Sequence, residues 1–328
     1  NPWRERLRRA ILEFSPHVTE ALPCSHSPAC WKGGRNLYFA LIVATPQAGR
    51  HHMLAVNTDY ARGTGDPEPP LRGIAEAGFT HVHWCHQWCT DFIYTEPEIR
   101  QVELWFAELG LKLVDLHASH GVEKCWADLR DYRRQAGLDL VRNRIEMTQR
   151  LEGDVITLHA PSESEDAATR TASRDAIRRS LDELSPHAER CGVRIAFENL
   201  MSHGNADQLA LIFSEYPPDY VGLCYDSGHG NVTGDGLDLL EKWQHRLIAV
   251  HLHDNDGTGD QHQLPYQGSI DWSRLASLLA SSGYSKCVSL EVAIRNAPEG
   301  TAEQTFLKQA HRTAQRLSHA VAGAGSQP

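Results

Sequence analysis

The chain has 328 residues, of which 41% are hydrophobic and 23% charged. That balance excludes a disordered or fibrous protein, and the length is one that a single barrel-type domain commonly fills. Its 32 Lys and Arg against 42 Asp and Glu leave a formal charge of -10, which weighs against nucleic acid as a partner because nothing attracts a phosphate backbone at long range. No run of 18 apolar residues occurs, which argues against a membrane-spanning helix.

Residues 1–36 lack a repeating pattern and are expected to form an N-terminal extension; the barrel domain is placed at 37–320 and a flexible tail at 321–328. Leu37 to Thr45, LYFALIVAT, has the apolar density of a strand, either the first of the barrel or a hairpin partner to the next. From there short apolar runs alternate with helical patterns. Strands are expected near 53–57, 80–84, 111–117, 154–159, 193–199, 221–226, 247–253 and 287–292. Helices are expected ending near Ala77, over Glu96–Leu109, over 128–151 with an interruption at Gly137, and over 174–190, 206–215, 236–246, 271–281 and 302–318. Continuously apolar strands imply burial on both faces, so eight strand-helix units predict an α/β fold of the (β/α)8 TIM-barrel type. An open doubly wound sheet is the competing architecture, but no G-x-G-x-x-G follows a first strand.

In a barrel, chemistry belongs at the carboxyl ends of the strands, and the polar residues stand there. VRIAFEN ends at Glu198, VGLCYDSGH at Asp226 and His229, KCVSLEV at Glu291, and LIAVHLHDNDGTGDQH carries His251, His253, Asp260 and His262. A set of carboxylates and imidazoles without an all-Cys shell describes a metal site open to substrate. Glu198, Asp226, His251 and Glu291 are the expected ligands. His251 and His253 share a strand face, so one ligates while the other packs or orients a substrate; Asp260 and His262 either clamp a further ion or form a solvated acidic loop. His117 and His159 follow strands three and four as additional candidates. Mixed N and O donors suit Mn2+, Zn2+ or Co2+ better than Mg2+. Trp84, Trp88, Phe92 and Tyr266 stand near strand ends, as pocket walls for a sugar face or as core. Eight scattered Cys read as reduced thiols of a cytoplasmic protein rather than a disulfide framework.

FEN at Glu198, YDSGH at 225–229, VHLHD at 250–254, SLEV at Glu291 and GSIDW at 268–272 together resemble the xylose-isomerase-like barrel superfamily, in its sugar phosphate isomerase/epimerase and endonuclease IV group. The resemblance spans roughly His52 to Leu317. It implies a divalent ion held by Glu198, Asp226, His251 and Glu291, with Glu198 and Glu291 moving a proton at the carbon beside a carbonyl and His229 touching a substrate hydroxyl. The substrate class implied is a keto sugar or polyol, and barrels of this group are often homo-oligomers. Two departures stand out: Gly257 occupies the place of the Arg that ketose 3-epimerases carry past the metal His, and NLMSHGN follows Glu198 where a second Glu is expected. The endonuclease IV pattern implies three zinc ions on nine ligands, which His117, His159, Glu198, Asp226, His229, His251, Asp260, His262 and Glu291 match in order. Against cleavage of a DNA backbone stand the net charge and the acids Glu163, Glu165 and Asp166 in the loop after His159. A barrel that binds without turnover is the third alternative.

Overall fold

A computed structural model describes residues 53–325 of the chain. Eight parallel strands alternate with helices: β1 (Leu54–Asn57), β2 (His81–Trp84), β3 (Lys112–His117), β4 (Val155–His159), β5 (Arg194–Glu198), β6 (Val221–Asp226), β7 (Leu247–His251) and β8 (Val288–Leu290). Each pairs in parallel with its neighbour, and β1 also pairs with β8. The ring closes between β7 and β8 by one parallel bridge, Leu252 to Leu290, in which Leu252 N donates to Ser289 O (3.0 Å) and Glu291 N to Leu252 O (3.1 Å). This is a (β/α)8 TIM barrel, and its seam is knit at the carboxyl end, next to His251 and Glu291. The eight expected strands all form. The ring is complete without Leu37–Thr45, which lies outside the described residues, as does the expected extension at 1–36.

The helices are α1 (Glu68–Glu76), α2 (Glu96–Leu109), α3 (Asp131–Arg150), α4 (Ala167–Cys191), α5 (His203–Glu215), α6 (Ser227–Thr233), α7 (Gly236–Trp243), α8 (Trp272–Ser281) and α9 (Glu303–Ala324). Local chemistry sets several ends: Thr95 and Glu98 form a capping box at the start of α2, and Asp166 caps α4 by accepting from Thr169 N (2.7 Å). Gly110 and Gly192 close α2 and α4 in the left-handed region. Two expectations need correction. α3 runs through Gly137 unbroken, because that glycine admits the Cys125–Trp126 backbone where a Cβ would overlap it. α9 continues to Ala324, so residues 321–324 are helix rather than tail; Val321 extends the apolar stripe of Phe306, Leu307, Ala310, Ala314 and Leu317 onto the core. The stretch after β6 coils into α6.

Side chains alternate between barrel interior and helix layer. On β5, Phe197 packs outward against Trp126 (ring centroids 5.7 Å apart), whereas Ala196 joins Val155, Cys224 and Ala249 in a separate small apolar cluster. Small residues in that layer leave the next layer up, at the strand ends, to the charged groups. The six described cysteines are all free thiols, and no helix among the described residues is long and apolar enough to cross a membrane.

Candidate metal centre

The floor of the pocket at the strand ends is built from groups that each come from a different strand or loop. Glu198, Asp226, His251 and Glu291 offer ligand atoms all within 4.8 Å of one another. His251 Nδ1 lies 2.8 Å from Glu291 Oε2 and 3.4 Å from Glu198 Oε2. Two further groups adjoin this quartet: His117, His159 and Glu198, and His253, Asp260 and His262. His117 Nε2 and His159 Nε2 stand 3.1 Å apart, with Glu198 Oε2 3.2 Å from His159. His229 Nε2 lies 3.6 Å from Asp260 Oδ2, which adds it to the third group. The histidines and carboxylates expected from the sequence thus converge, whereas of the four aromatic candidates only Trp88 lines this pocket.

Trp84 is placed in the core instead. Its side chain is wholly buried, donates from Nε1 to the Tyr94 hydroxyl (3.1 Å) and packs near Phe106 (6.1 Å between centroids). Strand alternation sends it outward under α2 while His83 turns inward, so it does not reach the pocket. Trp88 does line the pocket, its ring 4.5 Å from that of His117. Tyr266 lies instead beneath Arg316 (3.7 Å), and Phe92 stacks edge-on to Tyr94 (5.0 Å). Of the loop acids, Glu163 is paired with Arg174 and Asp166 is spent as a helix cap.

Imidazole orientation is fixed from behind. His117 Nδ1 donates to Ala118 O (2.9 Å), His229 Nδ1 to Asn199 O (2.9 Å) and His262 Nδ1 to Glu291 O (3.0 Å), which leaves each Nε2 facing the cluster. In His251 the roles reverse: Nε2 donates to Asp115 Oδ2 (3.1 Å) and Nδ1 faces the two glutamates. Backbone carbonyls or a carboxylate behind an imidazole are the usual setting of a metal ligand, because they fix which nitrogen carries the lone pair. Asp226 both caps α6, accepting from His229 N (2.6 Å), and accepts from His253 Nε2 through both oxygens (3.1 Å each). Gly228 lets the first turn of α6 lie against the His253 ring, where a Cβ would overlap it.

The sequence reading missed His83 and Asp115. Asp115 sits two residues before His117 and therefore on the same inward face of β3; its Oδ1 accepts from His83 Nδ1 (2.9 Å) and its Oδ2 from His251. A polar residue at i and i+2 inside an apolar strand was the available signal. His83 Nε2, 3.9 Å from Glu291 Oε2, belongs to a further possible ligand group with His251 and Glu291.

The electrostatics fit a cation. Burial resists charging the imidazoles, yet the nearby carboxylates, joined at His251 by the Cys224 thiol, outweigh it and hold His229 and His251 well above their usual range and His262 at about 9. Burial likewise opposes ionisation of Glu198, Glu291 and Asp260, and the facing histidines reverse it, holding all three carboxyls low. Where two imidazoles face each other, burial and His159 push His117 down to about 3, keeping it neutral. Buried atoms without a hydrogen-bond partner include His83 Nε2, His251 Nδ1, His253 Nδ1, Asp260 Oδ1 and Glu291 Oε2. Orphaned donor atoms of this kind, gathered in a strongly negative field, match the requirements of a divalent ion with N and O ligands.

A family model described as "Xylose isomerase-like TIM barrel" matches residues 71–310. The uncharacterised protein y4fM of Sinorhizobium fredii is 32% identical over 278 residues, covering 76% of this chain and 88% of that protein. An inosose isomerase of Bacillus velezensis is 30% identical over 153 residues, 43% of this chain; the match spans 52% of that enzyme, about half its length. Among solved structures, a D-tagatose 3-epimerase-like protein superposes with a TM-score of 0.65 at 20% identity, covering 81% of this chain and 98% of that one, a likeness of fold.

Proposed function

Because the chain belongs to the xylose isomerase-like TIM-barrel family, we propose that it is a divalent-metal-dependent isomerase or epimerase acting on a keto sugar or polyol by proton transfer beside a carbonyl. One observation carries the reading: Glu198 and Glu291, from β5 and from the end of β8, both approach His251 Nδ1 at the base of a single pocket of about 390 Å3. The inosose isomerase relative and the epimerase-like neighbour support the substrate class.

Glu198, Asp226, His251 and Glu291 would hold the ion, with His83 in reach of the same position. A bound divalent ion supplies Lewis acidity toward a carbonyl and its neighbouring hydroxyl. The chain supplies the proton chemistry and the positioning. Two carboxylates reaching the pocket from non-adjacent strands can address a substrate carbon from different sides, one removing its proton and the other returning it. His229, anchored through Nδ1, presents Nε2 to a substrate hydroxyl, and the Trp88 ring covers His117 and His159 as an apolar wall. Lyase-type elimination shares the first proton transfer and belongs to the same reading.

A second reading, a multinuclear zinc phosphodiesterase of the endonuclease IV kind, is favoured by the gathering of all nine histidines and carboxylates into three adjoining groups. The test is proton exchange: manganese- or zinc-loaded protein incubated with inososes and ketohexoses in D2O, with deuterium incorporation read by NMR. Incorporation at the carbon beside the carbonyl is expected. Its absence from the whole panel, with three zinc ions per chain and cleavage of a phosphodiester, would replace this reading by the second.

A further inference from the structure

The pocket above the acidic floor has a wall that carries two arginines. Arg62, in the loop after β1, and Arg295, in the short 3-10 turn Ile294–Asn296 after β8, both line it. Their loops are joined at the base. Asn57 Nδ2 donates to Val292 O (3.1 Å), Asn57 Oδ1 accepts from Val292 N (2.8 Å), and Ile294 N donates to Tyr60 O (2.9 Å). Ala293 N also donates to His262 O (3.0 Å), which links the same wall to the cluster below. Adjacent strands and these four bonds therefore hold two guanidinium-bearing segments side by side over the carboxylates.

Neither arginine side chain is tied to a carboxylate among the described residues. Arg72, Arg133, Arg150 and Arg178 are each tied to a carboxylate at 2.6–2.8 Å, whereas among the described residues Arg62 and Arg295 have no hydrogen bond or ion pair. The pocket carboxylates are committed elsewhere: Asp59 to Asn57 Nδ2 (2.7 Å), Asp260 to His262 (2.8 Å), Glu198 and Glu291 to the imidazoles. In a chain of formal charge -10, two guanidiniums on the wall of one cavity put positive charge beside its acidic floor. Guanidinium forks match the planar oxygens of carboxylates and phosphates.

We propose that Arg62 and Arg295 form an anion subsite, and that the substrate is a polyol or keto sugar carrying a carboxylate or phosphate monoester at the end remote from the reacting carbon. This rests on the isomerase reading for the reacting end only; the anion subsite is tested by binding.

The experiment measures equilibrium binding of D-glucose, D-glucuronate and D-glucose 6-phosphate to the manganese-loaded full chain by calorimetry, without turnover. At least one anionic probe is expected to bind about tenfold or more tightly than glucose. Arg62→Ala and Arg295→Ala should each remove most of that preference while leaving glucose binding and the melting temperature unchanged, and Arg62→Lys should restore part of it. Whichever anion shows the arginine-dependent preference identifies the group as carboxylate or phosphate. Equal affinity for the three probes, or a loss in the variants that is the same for glucose and for the anions, overturns the proposal. Arginine-dependent anion binding without proton exchange on any keto substrate would sink the isomerase reading and leave the subsite standing.

Discussion

Asp115 Oδ2 and His251 Nε2 are 3.1 Å apart at the barrel centre, although 136 positions separate them in sequence. The same carboxylate holds His83, so one group on β3 sets the tautomer of two imidazoles and turns His251 Nδ1 toward Glu198 and Glu291. Asp115 is held far below the usual carboxylate range: burial works against ionisation, and His83 and His251 more than reverse it. Replacing it with Asn leaves one acceptor for two donors. Asp115→Asn should weaken metal affinity roughly 10- to 100-fold, measured by chelator competition; unchanged affinity would mean that the carboxylate only fills the barrel.

Glu291→Gln keeps the size of the side chain and removes its basicity. Proton exchange into a keto substrate should fall by at least about 100-fold while far-UV circular dichroism stays native. Full exchange activity in the variant would deny Glu291 its role.

Metal addition should raise the melting temperature of metal-stripped protein, since an ion that binds the folded chain stabilises it by about 2.7 kcal/mol at a free concentration 100 times its Kd. Elemental analysis of the loaded protein gives the stoichiometry. One tightly held ion per chain supports the isomerase, whereas three favour the phosphodiesterase.

Gly137→Ala drives a methyl group into the Cys125–Trp126 backbone. Overpacking of this kind costs about 1–3 kcal/mol, with the transition midpoint in urea as the readout. A neutral result would show that the loop before α3 yields freely.

Asp154 is bound by Lys286 and by Arg194 Nη2 (3.1 Å), and Lys286 Nζ also donates to Val114 O (2.9 Å). Burial raises the Asp154 carboxyl, but Lys286 and Arg194 outweigh it and hold it below its ordinary value. A depressed carboxyl contributes stability above the unfolded pKa that is lost as pH falls through the folded one. Between pH 5 and pH 3 the wild type should therefore lose more stability than Asp154→Asn, compared by urea midpoints; parallel losses would contradict the assignment.

The barrel was legible because its evidence is local. A strand buried on both faces needs a largely apolar run, and each of the eight runs announces itself without its neighbours; so do the acids and histidines that end Arg194–Glu198, Val221–Asp226 and Leu247–His251. Gly137 misled because a glycine in a helical pattern signals a break, and only the backbone crossing it shows why the helix continues. Trp84 misled for a related reason: its neighbour His83 faces the site, and one step along a strand changes face.

Sequence by itself determined the number of strand-helix units and the chemistry of their ends, since both follow from alternation along a single segment. Tertiary structure alone decided which ends meet. Closure at Leu252 and Leu290 brings β7 beside β8 and so His251 to Glu291; the ring sets Asp115 across from His251; and the joined loops after β1 and β8 put Arg62 and Arg295 on one wall. Those relations depend on the order and curvature of strands far apart in the chain, where packing rather than local pattern fixes the distance between side chains.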